Sequence, residues 1–250
     1  MVALQKNDLG RILFALGMCG LGVVTAFYGD FALQWQPIPK TLPGYHALAY
    51  VSAALLMAGG IALVTKVHVR AALWLACYLC VFWLLPQLLS VVPAYASIGS
   101  WLGFCEILGV TCGALIIWAG PARAKVQRAA QVLFGLCCIV YGVSHFAYPE
   151  FTADMIPHWL PQRLALAYVT GAAHVLAGLA IACMVLPWLA ALLEAVMMSL
   201  FVTLLHLPSL WASPPPAWAP TLRVEITALF WATSLAATAW VVARSLPRRP

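Results

Sequence analysis

Apolar positions run along the chain in eight long blocks, approximately 11–28, 45–65, 70–90, 100–119, 128–147, 163–184, 187–207 and 221–243. Short segments rich in charge, proline or glycine separate them. A block of about 17–25 apolar residues is long enough to cross the hydrocarbon core as a helix. Lipid offers no partner to bare backbone groups, so each block predicts a helix. The expected fold class is all-α: a polytopic membrane protein with eight transmembrane helices.

Composition strengthens that expectation. Of 250 residues, 64% are hydrophobic and 8% charged, against about 45–50% and about 25% in soluble domains. The net charge of +6 comes from short clusters between the blocks. It forms no stripe that could track a phosphate backbone, so nucleic acid is not expected as a partner. Lys6, Arg11, Lys66, Arg70, Arg123, Lys125, Arg128, Arg244, Arg248 and Arg249, ten of the thirteen basic residues, fall on one side of an eight-span chain. Only Lys40, Arg163 and Arg223 fall opposite. Basic residues collect on the cytoplasmic side, which places both termini there, in a cell membrane. No small-residue cleavage pattern follows the first block, so it reads as a retained anchor. All eight cysteines lie within the blocks. Cys77 and Cys80 share a face but lack a thioredoxin-like strand–helix context, and no disulfide is expected.

An ungapped shift of 118 lays residues 38–51 over 156–169, with nine of fourteen positions identical. Gly17 then meets Gly135, Cys19 meets Cys137, and Gly60 meets Gly178. Four helices return the chain to its starting side, so the copies, residues 1–120 and 121–250, would be two parallel four-helix repeats. Pro37, Pro39 and Pro43, like Pro157 and Pro161, predict a compact outer loop after the first helix of each copy. Trp35 and Trp159 would sit at headgroup level.

The second copy carries Gly142–Val143–Ser144–His145–Phe146, then Ile-Pro-x-x-Leu-Pro at 156–161, then Ala167-Tyr168-x-x-Gly171. This pattern resembles the DoxX-like membrane family. The resemblance covers 128–207 well and 11–119 more weakly, where Phe27 stands for the histidine and Ala53 for the glycine. It implies a duplicated four-helix unit. The family takes its name from a subunit associated with a quinol oxidase, and similar proteins are linked to thiosulfate oxidation. The resemblance therefore implies a redox-associated role, with a quinone and a partner subunit as expected associates.

Ionisable groups inside apolar spans are costly and are usually paired, protonated or functional. Glu106 and Glu225 stand 119 apart in the fourth helix of each copy, and Gln87 and His206 stand 119 apart in the third. Each copy could thus pair a polar group with a carboxylate, either as a helix-locking hydrogen bond or as working chemistry. The second copy differs in kind, since His206 replaces Gln87 and His145 replaces Phe27. Tyr141, His145 and Tyr148 share a helix face, and Ser199, Thr203 and His206 form a polar stripe. If those faces converge, His145, His206 and Glu225 make an outward-open pocket with catalytic potential. Imidazoles beside a carboxylate suit proton relay or hydrogen bonding to a quinone carbonyl. The same three residues match a two-histidine, one-carboxylate ligand set. They come from separate helices without metal-ligand spacing, so no metal is expected.

Tyr168 and His174 are expected to share a face with Gly171 and join the candidate binding residues, as do Tyr141, Tyr148, Gln87 and Glu106. Glu194 is either protonated or reaches His174. Arg223 would snorkel to headgroups. Asp30, Glu150, Asp154 and His158 would be solvated in outer loops. Gly17, Gly20, Gly59 and Gly60 would permit close helix contact. No phosphate-binding loop or Gly-x-Ser-x-Gly is present. Three functional classes remain: binding of a quinone or similar lipid-soluble molecule, a cofactor-free acid–base isomerase or cyclase of a lipid or terpenoid, and a non-catalytic partner, chaperone or carrier of apolar cargo.

Overall fold

The computed structural model describes residues 8–213 and 216–248. The expectations for Lys6 and Arg249 fall outside them. Among the described residues the chain is helical, with no strand. Eight helices are long and apolar enough to cross a membrane. We label α1 Leu9–Tyr28, α2 Tyr45–Leu63, α3 His68–Ala94, α4 Ile98–Ala119, α5 Ala124–Ala147, α6 Pro149–Met155, α7 Arg163–Cys183, α8 Pro187–Ser209 and α9 Leu222–Ser245. Only the short α6 is not a span.

Local chemistry sets the helix ends. Asp8, Ser97 and Thr221 accept from the backbone N–H three residues on and so cap α1, α4 and α9. Gly29, at φ 58°, closes α1 in the left-handed conformation that glycine adopts without strain. α3 and α8 each contain one π-helical turn, Cys80–Leu84 and Val202–His206. Pro86 and Pro208 follow these turns and lack the N–H that an α-turn would use. Their rings also crowd the preceding turn, and the extra π residue relieves both problems. The stripe expected of Ser199, Thr203 and His206 is broken here: Thr203 is exposed and His206 buried. The added residue swings His206 away from the line of Thr203.

The spans do not close as two separate four-helix bundles. α1 packs on α2 and α9, α4 on α3, α5 and α9, α5 on α7, and α8 on α7 and α9. These neighbours form two five-membered rings, α1–α2–α3–α4–α9 and α5–α7–α8–α9–α4, sharing the α4–α9 contact. Lipid gives helices little hydrophobic reason to associate, so fit between backbones decides the pairing. On α1 and α2, Gly60 lies against the Ala15 carbonyl and Gly22 against that of Ala53. On α5 and α7, Gly178 lies against the Gly135 carbonyl and Gly142 against that of Gly171.

These contacts do not follow one constant shift: Ala15 faces Gly60 and Gly135 faces Gly178, so the offset is 120 between α1 and α5 and 118 between α2 and α7. The α1–α2 connection is two residues longer between these contacts than the α5–α7 connection. Phe27 is 80% exposed. Measured from the prolines after the π turns, Leu84 matches His206 and Gln87 matches Ser209. Measured from the N-caps, Glu106 lies nine residues into its helix and Glu225 four. Gln87 and His206, like Glu106 and Glu225, thus lie at different distances from the nearest proline or N-cap.

The first ring is filled. Trp83 is fully buried and stacks on Trp231, with centroids 5.3 Å apart and planes 9° apart. Trp35 reaches the same indole from the α1–α2 loop. It is buried, with its N–H donating to the Glu106 carboxylate, whereas Trp159 is 68% exposed.

The outer loops are also more tightly held than expected. Arg223 donates to Asp30 at 2.9 Å and to the Phe31 carbonyl at 2.8 Å, and lies over the Tyr28 ring. Tyr45 donates to Asp30, and Lys40 approaches within 3.9 Å. Arg223 therefore ties α9 to the α1–α2 loop and does not snorkel to headgroups. Partial burial raises the Asp30 carboxyl, but the Tyr45 and Arg223 hydrogen bonds and the charges of Arg223 and Lys40 outweigh it and hold it below its ordinary range.

Candidate functional site: a cavity in the second ring

The second ring encloses a cavity of about 580 Å³, within the 300–1,000 Å³ typical of small-molecule sites. α4, α5, α7, α8 and α9 form its walls. α6, residues 34–35 and Trp218 close its outer end. The difference from the filled first ring lies in the side chains each ring places inward. Large apolar ones such as Trp83 fill the first, while the second receives Gly103, Ser144, Ala228 and Ala232 beside histidines.

Six of the candidate residues line this cavity: Glu106, Tyr141, His145, Tyr148, His174 and His206. They arrive on four helices. Tyr141 and His145 share the inward face of α5, as their spacing implies, while Tyr148 is its C-cap and reaches the cavity from just beyond the helix. Tyr141 donates to the Cys105 carbonyl at 2.9 Å, and Tyr148 accepts from Gly99 N–H at 3.2 Å across the mouth. The ring of His145 meets that of His174 edge-on, with centroids 5.2 Å apart. Phe201 packs against both.

His174 is held by Glu194. Its Nδ1 lies 2.7 Å from Glu194 Oε1, and both residues are almost fully buried. Glu194 thus stands behind the cavity wall as an orienting partner, and its Oε2 has no hydrogen bond. The alternative that it reaches His174 is the one observed. His145 Nδ1 lies 3.2 Å from the Ala167 carbonyl and 3.1 Å from Thr170 Oγ1. His206 packs edge-on to Trp218 at 5.4 Å, and its buried Nδ1 has no partner.

Three candidates besides Glu194 fall outside the cavity lining. Glu225 is buried in the first turn of α9, next to Ser209, and Oε1 lacks a partner. It lies off the cavity face of α9, which Val224, Ala228, Trp231, Ala232 and Leu235 supply. Glu106, deeper in its helix, lines the cavity instead, because α4 packs between α9 and α5. Gln87 is buried but does not hydrogen bond to Glu106. Glu106 Oε2 instead accepts from Trp35 at 2.7 Å and Trp231 at 3.2 Å. Tyr168 is 43% exposed and stacks on Phe146 at the outside of α7. Six residues along a helix turn the chain away from the His174 face, so these two do not act together.

The two indoles were absent from the sequence-level candidates. Trp35 was expected at headgroup level and Gln87 as the partner of Glu106; a carboxylate inside an apolar span calls for donors without naming them. Among the described residues, no group of three or more His, Cys, Asp or Glu side chains gathers as a metal site. The described cysteines are all free, with Cys77 and Cys80 exposed.

A family model described as a domain of unknown function (DUF8561) matches residues 133–243, which supply every cavity wall except α4. No curated protein and no solved structure matches the chain.

Proposed function

We propose that this chain binds a lipid-soluble small molecule of quinone-like size and polarity in the second-ring cavity, as a DoxX-like, redox-associated membrane protein working with a partner subunit. The observation that carries this reading is an apolar cavity about 580 Å³ in volume into which imidazoles with unused hydrogen-bonding atoms converge. Buried polar groups normally find partners. A ligand carrying a few polar atoms on an apolar body supplies them. The architecture behind it is a duplicated unit with parallel copies, in which α1, α2, α3 and α4 correspond to α5, α7, α8 and α9. Support comes from the matched glycine–carbonyl contacts, the matched π turns before Pro86 and Pro208, and a set of helix neighbours that maps onto itself when the halves are exchanged.

Trp35, Trp218 and Trp231 line the cavity, so a bound quinone would quench their emission. Titration of decyl-ubiquinone into the detergent-purified chain is expected to give saturable quenching, one site per chain. Ala232→Trp, which fills the space, should abolish saturation. Quenching that stays linear with quinone, in both proteins alike, would remove this reading.

One observation favours a second class. An imidazole held by a carboxylate, His174 on Glu194, opens on the same cavity as Glu106, an arrangement suited to general acid–base catalysis. An isoprenoid substrate isomerised by the wild type and left unchanged by Glu106→Gln would select it. The absence of turnover over a panel of such substrates removes it.

A further inference from the structure

The hydrogen-bond arrangement around His145 sets which chemical class the cavity takes, given the binding reading above. His145 Nδ1 faces two oxygens, the Ala167 carbonyl at 3.2 Å and Thr170 Oγ1 at 3.1 Å. A carbonyl cannot donate. The Thr170 hydroxyl directs its own proton to backbone carbonyls, at 2.9 Å to Leu166 and 3.1 Å to Ala167. Nδ1 must therefore carry the hydrogen, and in the neutral ring Nε2 is a bare lone pair. His145 lines the cavity, and no described group donates to its Nε2. Nearby, His206 is 9% exposed, lines the same space, and has no hydrogen bond from either ring nitrogen among the described residues.

We propose that the cavity selects ligands whose head group bears a hydroxyl, which donates to Nε2 of His145: phenols, hydroquinones or lipid alcohols, over the ketone, quinone or ether of the same shape. A carbonyl or ether oxygen placed there would set lone pair against lone pair. His206, with one donor and one acceptor nitrogen in its neutral ring, accommodates either partner and so does not discriminate. His145 does.

The test uses 4-nonylphenol and 4-nonylanisole, which differ only by a methyl group on the oxygen. Calorimetric titration of the full chain in detergent should show the phenol binding roughly ten-fold more tightly, the scale of one buried hydrogen bond gained against one left unmade. His145→Phe should erase that preference, bringing the phenol and anisole affinities together. In the wild type, ¹⁵N histidine spectra should show one ring protonated at Nδ1 whose Nε2 signal moves with phenol and not with anisole. That second measurement stands even where the variant does not fold. Equal affinity for both probes, a preference that survives His145→Phe, or no shift at Nε2 overturns the proposal. If neither probe binds while decyl-ubiquinone still quenches saturably, this inference fails and the binding reading stands. If no probe and no quinone binds, the binding reading itself is lost.

Discussion

Trp35 is buried, and its N–H donates to Glu106 at 2.7 Å. At this scale single atoms decide the packing. Gly142 is the sharpest case, since a methyl group there would drive into the Gly171 carbonyl, a backbone atom with no rotamer to escape by. Gly142→Ala is expected to destabilise the chain by about 1–3 kcal/mol, the usual range for overpacking, read as a lower Tm in detergent. It should also weaken decyl-ubiquinone quenching, because it pushes α5, and with it His145, away from α7. An unchanged Tm would mean that the two helices do not approach as described. Asp30 gives a pH signature. Its carboxyl ionises at lower pH in the folded clasp than its ordinary value of 3.8, so the stabilisation is complete above that value and is lost as pH falls through the lower, folded value. The Tm difference between wild type and Asp30→Asn should therefore be present at pH 7 and shrink below pH 3.8. A pH-independent difference would show that charge is not what Arg223, Lys40 and Tyr45 recognise.

A π turn adds one residue to a helix and so rotates everything beyond it. In α8 that rotation brings His206 inward while Thr203 stays outside. Pro208→Ala restores the missing N–H and lets the turn relax to α-helix, so His206 should swing out of the cavity. The expected result is a His206 that reacts faster with diethylpyrocarbonate and a quinone site weakened to a similar degree as in His206→Ala. Unchanged reactivity would mean that the π turn is held by packing and not by the proline. This element also shows what could be read from sequence. The eight spans begin and end close to where the apolar blocks do, because crossing lipid needs only length and apolarity, both local properties. His145 with Tyr141 is legible because α5 is regular and its spacing reports one face, whereas Tyr148 reaches the cavity as the C-cap beyond that regular stretch. The π rotation was not legible, since Leu-Pro near a helix end does not say how the chain will absorb it. That Glu106 lines the same cavity as the histidines was not legible for another reason. Sequence alone suggests that a four-helix unit closes on itself, and nothing local says that α4 packs on α5 while α9 packs on α1.

That exchange of neighbours makes the whole molecule one body with two unlike interiors, one plugged by Trp83 and one hollow. It also bears on which way the chain faces in the membrane. The three basic residues that break the charge rule all have acidic partners at the outer end: Lys40 and Arg223 with Asp30, and Arg163 with Asp154 at 3.9 Å. An exposed pair such as Arg163–Asp154 adds little stability, but pairing lowers the net charge that this end must carry across the membrane. At the opposite end Asp8 lies 3.7 Å from Arg11 and 3.9 Å from Arg244, whereas Arg123 lies over Trp118 and Arg128 donates to the Ile181 and Ala182 carbonyls that end α7. The contacts of Arg123 and Arg128 cancel no charge, and cations of that kind favour the cytoplasmic side. With the cavity mouth at the acid-paired end, the ligand would enter from the outer leaflet. A cysteine placed at His158 in a chain stripped of its own eight cysteines should react with an impermeant maleimide on intact cells. One placed at Lys66 should react only after permeabilisation. The reverse pattern would put the cavity mouth on the inner leaflet and make its ligand a molecule drawn from the cytoplasmic side.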